Sequence, residues 1–285
     1  MEKSSEQYHT HIEANNRLLT LNLKEVFKYR DLIVLFIKRD FKLTYKQTIL
    51  GPLWIILNPF ISTVIYTIVF GGIAGIGTDG IPKILFYMLS NAVWSFFASC
   101  INKTSSTFTA NAAVFGKVYF PRLTTPISTV ATAAINLLIQ LAMFVCFWVY
   151  YLLKGQVSPN WIYLPLFFVV IVLLGAMGLG CGIIVSSLTT KYRDLAIAVT
   201  FGVQLWMYAT PVVYPLSTLG EGSFMRFVLT VNPVTSYIEI CRYIILGQGS
   251  FTLGGCIWSV AFTVIILFLG IISFNRVEKT FMDTV

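Results

Sequence analysis

Residues 51–74 read GPLWIILNPFISTVIYTIVFGGIA and contain no charged side chain, whereas residues 38–46 just before them, KRDFKLTYK, hold Lys38, Arg39, Asp40, Lys42 and Lys46. A chain that turns from cationic to apolar over so short a distance is passing from water into lipid, because the bilayer core offers no water to solvate charge. The rest of the sequence repeats that passage. Only 11% of the residues are charged, against about 25% in soluble domains. This much apolar surface exceeds what one soluble core can bury. The net charge of +8 does not point to nucleic acid, because the basic residues flank apolar runs instead of forming one patch.

A spanning helix needs about 20 apolar residues, and six segments qualify: 53–74, 84–101, 127–152, 161–188, 195–216 and 256–274. The expected fold is an all-α polytopic membrane protein with six transmembrane helices. Sixteen of the twenty Lys and Arg fall in residues 1–50, 102–126, 189–194 and the tail after 274. Lys83, Lys154, Arg226 and Arg242 are the others. Positive charge collects on the cytoplasmic side, so both termini are expected there, as an even number of spans also requires.

Residues 1–23 are polar and lack the apolar stretch of a signal peptide, and they read as a cytoplasmic tail. Residues 24–46 read as an amphipathic helix lying in the membrane interface. Val26, Tyr29, Ile33, Ile37, Phe41 and Tyr45 recur at helical spacing, with Lys28, Asp31, Lys38, Arg39, Lys42 and Lys46 mostly opposite. Residues 47–285 then form the six-span domain. Between the fifth and sixth spans, the apolar pieces 224–231 and 234–246 are each too short to cross and are divided by Asn232 and Pro233. They read as a re-entrant hairpin dipping into the outer leaflet. In the second piece Glu239 and Arg242 stand three apart and can pair on one helical face.

The six segments carry no Asp, Glu, Lys, Arg or His beyond Asp194 at an edge. Ion-coupled carriers place titratable groups at that depth, and membrane hydrolases need a carboxylate, His or metal cluster. No metal site is expected: His9 and His11 sit in the tail, and the five cysteines have no ligand spacing. There is no GxxxxGK[ST], so no phosphate-cradling loop of that kind. Gly75-x-Gly77-x-x-Gly80 lacks a strand–helix context and reads as an outer loop. Asn102-Lys-Thr104 matches a glycosylation sequon on the expected inner side. Gly178-x-x-x-Gly182 offers a smooth face for close helix packing.

Two regions carry candidate functional side chains. In loop 102–126, a short helix over 110–118 is expected to present Phe115 and Lys117 to a socket on a soluble partner, followed by Tyr119, Phe120, Pro121 and Arg122. Among the aromatics of the spans, Trp54, Tyr66, Phe70, Trp94, Phe97, Trp206, Tyr208 and Tyr214 are candidates for lining a pathway. Ring faces with hydroxyl or indole donors suit sugars. The first and fifth spans are favoured by their polar neighbours Asn58, Ser62, Thr63, Thr67, Gln204 and Thr210.

Four stretches together resemble the polysaccharide-exporting ABC-2-type permeases, the membrane subunits that export O-antigen, capsule or teichoic acid. They are RDFKLTYKQTILGPLWIILNPF, FPRLTTPIS, YRDLAIAVTFGVQLWMYATPVVYP and NPVTSYIEICRYIILG, in that order, and the likeness spans about residues 25–275. Thr44 departs from it, since a basic residue is expected there. The resemblance implies a homodimer in the bacterial plasma (inner) membrane with a pathway between its copies. It implies two separate ATPase subunits holding ATP and Mg, with no cofactor on this chain. The implied cargo is a polyprenyl-diphosphate-linked glycan, and the chain is a transport subunit, not an enzyme. It further implies that the 24–46 helix and the loop with Phe115, Lys117, Tyr119 and Arg122 rest on the ATPase. Asn232, Pro233, Glu239 and Arg242 would shape an outer gate, and Arg30, Arg39, Lys42 and Lys46 would attract the diphosphate. Two alternatives stand beside it: an ABC-2 efflux permease for drugs or lipids, and a membrane-embedded enzyme of glycan assembly relying on Asp79, Glu221 or Glu239.

Overall fold

A computed structural model describes residues 23–284 apart from Gln47, Gly116, Tyr119, Thr190, Lys191, Arg193 and Glu221. The polar tail with His9 and His11 lies outside the described residues, as do these seven positions. The regular structure among the described residues is all helical: α1 (Leu23–Lys28), α2 (Arg30–Tyr45), α3 (Trp54–Tyr66), α4 (Lys83–Ser105), α5 (Thr107–Phe115), α6 (Thr124–Leu153), α7 (Leu164–Thr189), α8 (Leu195–Tyr208), α9 (Phe224–Val231), α10 (Pro233–Leu246) and α11 (Leu253–Thr284).

Five helical segments are long and apolar enough to cross a membrane: Gly51–Ile73, Lys83–Ser105, Thr124–Leu153, Trp161–Thr189 and Leu253–Val277. The expected span over 195–216 is not a continuous helix. α8 has 14 residues, about 21 Å at 1.5 Å per residue, and then the chain turns at Ala209 and Thr210. Pro211 follows directly and has no N–H to continue the ladder.

The first crossing begins in a short 3-10 turn at Gly51–Leu53 and ends in a π-helical stretch, Thr67–Ile73. The wider turn displaces backbone carbonyls from their usual partners. Lys83 reaches back to take up the Gly71 carbonyl, and its stem packs where a side chain at position 71 would otherwise sit. The loop that follows holds Gly75 and Gly80 at positive φ and is pinned by Ser217 Oγ, which donates to Asp79 at 2.5 Å. It is a connecting loop, not a nucleotide cradle. Asn102 lies inside α4.

α4 is the central helix, in contact with α3, α5, α6, α7, α8 and α10. α7 lies between α4 and α11, and its glycines set both approaches. A Cβ at Gly182 would stand 2.5 Å from Thr104 Cβ and 3.1 Å from the Ile101 carbonyl oxygen; at Gly178 it would stand 2.7 Å from Cys100 Cβ. On the other face, a Cβ at Gly180 would stand 2.8 Å from Ile266 Cγ2. The GxxxG stripe therefore packs on α4, as its spacing predicts. Gly182→Ala is expected to lower stability by about 1–3 kcal/mol through overpacking. The same change at Gly202, where nothing lies within 4 Å, removes a helix-destabilising glycine and is expected to raise stability by about 0.5–1 kcal/mol. Thermal unfolding of the two purified variants checks the opposite signs.

Residues 24–46 are not one helix. Tyr29 forms a turn between α1 and α2, and the buried stripe centres on Phe36, with Tyr29 and Leu32 beside it. Phe36 belongs to a second, smaller core at one end of the bundle with Phe108, Phe115, Phe120, Ile183 and Phe274. Leu35 and Leu43 point outward at 60% and 71% exposure, which leaves α2 an apolar face free of the protein interior.

Candidate functional site

The broken end of α8 is held by the hairpin α9–α10. Unwinding after Tyr208 frees backbone carbonyls, and side chains take them up. Asn232 caps α10 by accepting from the Val234 N–H at 3.0 Å, while its amide donates to the Ala209 carbonyl at 2.7 Å and to Thr210 Oγ1 at 2.8 Å. Pro233 occupies the first turn of α10, where its missing N–H costs nothing. Tyr214 Oη donates to the Tyr208 carbonyl at 2.6 Å.

Arg242 completes the clasp. It is 1% exposed. One nitrogen donates to Glu239 at 2.6 Å, Nε donates to Ser90 Oγ of α4 at 2.9 Å, and Nη2 donates to the Pro211 carbonyl. The guanidinium lies 3.9 Å from the Phe86 ring centroid. The other Glu239 oxygen accepts from the Ser250 N–H at 2.9 Å. A planar fork with donors in three directions is what such a junction needs, and lysine cannot supply it. The pair expected from the three-residue spacing thus forms, and it ties α10 to α4, to the break after α8 and to the turn before α11. Locked in this network, Glu239 is not disposed as a free acid for catalysis.

The aromatic candidates divide. Trp94 and Phe97 are buried in α4 and pack on Trp206 of α8 at 6.4 and 5.3 Å between ring centroids. Tyr66 packs on Phe70 and on Tyr87, and its hydroxyl meets the Met207 sulfur at 3.6 Å. These rings join α3, α4 and α8, so Trp94 and Phe97 do not line an open path in this arrangement. Large apolar rings gain more from helix–helix contact than from a polar passage. Phe70, Trp206 and Tyr214 are half-buried, and Trp54 and Tyr208 keep an open face.

The basic candidates also separate. Arg39 donates to Asp40 at 2.9 Å and to Asn111 of α5 at 3.1 Å, with its guanidinium 4.7 Å from the Phe36 ring. It fastens α2 to α5 and is not free for a headgroup. Arg30 is exposed. Lys42 and Lys46 border an apolar-floored groove of about 580 Å³, together with Lys38, which belongs to the same basic face but not to the headgroup candidates. Four-residue spacing puts 38, 42 and 46 on one face, and that was the available signal.

The loop helix forms at Thr107–Phe115, a few residues earlier than expected. Phe115 is not exposed. It is 4% accessible, 6.1 Å from Phe108 and 5.7 Å from Phe120 between centroids, and Arg122 stacks 5.8 Å from its ring. An aromatic beside other apolar rings buries its surface internally before it waits for a partner. Lys117 and Val118 are the outward residues of that tip. Tyr119 lies outside the described residues.

A polar cleft of about 430 Å³ opens between α3, α4 and α6, with Asn91 and Ser95 of α4 and Asn136 and Gln140 of α6 among its walls. Of its walls the sequence singles out Thr44 and the α3 residues Trp54, Asn58 and Ser62, and not the polar residues of α4 and α6. The repeat of polar residues at four-residue spacing on both α4 and α6 was the signal. Among the described residues no group of three His, Cys, Asp or Glu is placed to hold a metal ion.

Five long apolar helices, with the buried Glu239–Arg242 pair consumed in packing, define a multi-pass membrane protein. The chain belongs to the ABC-2 type transporter family, which matches residues 31–246. It is 30% identical to an O-antigen export system permease protein, RfbA, of Myxococcus xanthus over 75% of this chain and 80% of that one. It is 27% and 29% identical to two proteins of the same name from Klebsiella pneumoniae, each over 89% of this chain and 94% of the relative.

Proposed function

We propose that this chain is the membrane-spanning permease of a bacterial ATP-driven exporter of lipid-linked polysaccharide, of the O-antigen, capsule or teichoic-acid type. The observation that carries this reading is the nearly end-to-end likeness to the O-antigen export permeases. An interior with no free titratable pair among the described residues supports it, since the work must then come from a partner. In this reading α8 and the non-helical segment to Leu216 make the fifth of six crossings. Both termini, α2 and α5 lie in the cytoplasm, and α9–α10 dips into the outer leaflet. Two copies pair in the plasma membrane, and two ATPase subunits binding ATP and Mg sit beneath them. Asn232, Pro233, Glu239 and Arg242 form the outer gate, Trp54 and Tyr208 face the pathway, and Arg30 with the Lys38–Lys42–Lys46 face draws the diphosphate of a polyprenyl carrier. Deleting the gene and restoring it on a plasmid tests the reading: surface polysaccharide is expected to disappear and return, and an intact surface polymer in the deletion strain would refute it.

The ATPase contact is assigned to the exposed tip of the α5 loop. Lys117→Glu with Val118→Asp is expected to lower export by roughly tenfold or more, the equivalent of about 1.4 kcal/mol of coupling, while the melting temperature stays unchanged because neither side chain packs internally. Polymer at the cell surface and unfolding of the purified chain are the two measurements. Normal export by that variant would remove the loop from the coupling surface.

A further inference from the structure

The cleft between α3, α4 and α6 has an unusual chemistry for its place. Asn58, Ser62, Asn91, Ser95, Asn136 and Gln140 line it, and none of these side chains makes a hydrogen bond among the described residues. The Asn136 and Gln140 side-chain oxygens are buried as well as unpaired. Among polar groups elsewhere in the same helices, Thr63, Ser90 and Thr132 each donate to a carbonyl of the preceding turn at 2.7–2.9 Å, and the unpaired buried atoms of Tyr87, Asn102 and Thr124 stand outside the cleft. Unpaired polar groups at membrane depth are costly, and six facing one space mark that space as polar by construction.

Charge and shape narrow the occupant. The lining holds no Lys, Arg, His, Asp or Glu, so a phosphate would enter uncompensated. An alkyl chain would leave the amides unpaired. Amides and hydroxyls both donate and accept, which suits a group bearing several hydroxyls. Trp54 and Phe96 add ring faces to the same walls, and such faces suit the apolar side of a sugar ring. The volume of about 430 Å³ lies within the roughly 300–1,000 Å³ of small-molecule sites.

We infer that this cleft binds a neutral sugar ring of the exported glycan, an inference that rests on the proposed export function and adds where the uncharged part of the cargo is held. The lysine face of α2 and the cleft then divide the cargo between them, the first taking its anionic linkage and the second its hydroxyls. Thr44, at the end of α2, lies on the cleft wall and joins the two.

The full chain in nanodiscs is the test material, with two photoreactive alkyl probes of equal length, one carrying a glucosyl head and one a phosphocholine head. The glucosyl probe is expected to label α3, α4 and α6 around the cleft. Asn136→Leu with Gln140→Leu is expected to reduce that labelling roughly tenfold and to leave phosphocholine labelling and the melting temperature unchanged or the latter raised. Ser62→Ala with Ser95→Ala, a smaller change that any folded chain tolerates, is expected to reduce it in the same direction. Equal labelling by both heads would show a lipid-filled gap. Crosslinks between two copies of the chain at these positions would show that a second copy fills the cleft. No labelling would show that the cleft takes no sugar. Each of these three results overturns the inference. The readout needs no export, so it stands apart from the surface-polymer experiment that judges the function itself.

Discussion

Arg242→Ala is expected to destabilise the protein by about 3–5 kcal/mol, the usual cost of breaking a buried ion pair from one side. The loss has several parts. Glu239 is left buried with no cation beside it, Ser90 Oγ loses a donor, and the Pro211 carbonyl is left bare where α8 breaks off. Arg242→Lys is expected to recover only part of this, because one ammonium cannot reach Glu239, Ser90 and the carbonyls together. Arg242→Met with Glu239→Gln removes both charges and keeps an acceptor for the Ser250 N–H. It is expected to be closer to wild type in stability than Arg242→Ala. Unfolding of the purified variants, with membrane abundance in cells, checks the order. Equal stability of Arg242→Ala and wild type would show that the clasp does not hold the hairpin α9–α10.

Phe115→Ala is expected to cost about 3–5 kcal/mol, as for a large ring removed from a packed site. The ring is the centre of the small core that joins α2, α5, α7 and α11, so its loss loosens four elements at one end of the bundle. Phe115→Leu keeps apolar volume and is expected to cost less than about 1.5 kcal/mol. Export should follow stability in both variants. If Phe115→Leu were fully stable yet unable to export, the ring itself would be a contact to the ATPase, against its burial here.

Much of the architecture was legible because lipid imposes simple rules. A helix must be long and uncharged to cross, and charges must collect outside, so five of the six expected spans and the division of α9 from α10 at Asn232 and Pro233 could be read from the chain, while the break of α8 after Tyr208 could not. The three-residue spacing of Glu239 and Arg242 carried their pairing. The glycine spacing in α7 carried its close approach to α4. Rotational details were less legible. The buried stripe of α2 turned to Phe36, and the helix parted at Tyr29, because contacts with α5 and α6 outweigh the local pattern.

The sequence by itself determined that this chain lives in a membrane as a helical bundle without a mid-membrane titratable pathway, since composition and run length act locally and need no partner. Only the tertiary structure decided what the polar minority does. Arg242 meets Ser90 and Pro211 across separations of 152 and 31 positions, and Asn91 and Ser95 share a cleft with Asn136 and Gln140 on another helix. Whether a polar side chain is a clasp, a lining or a surface depends on which distant backbone and side-chain groups packing brings within hydrogen-bond reach, and no local pattern encodes that distance.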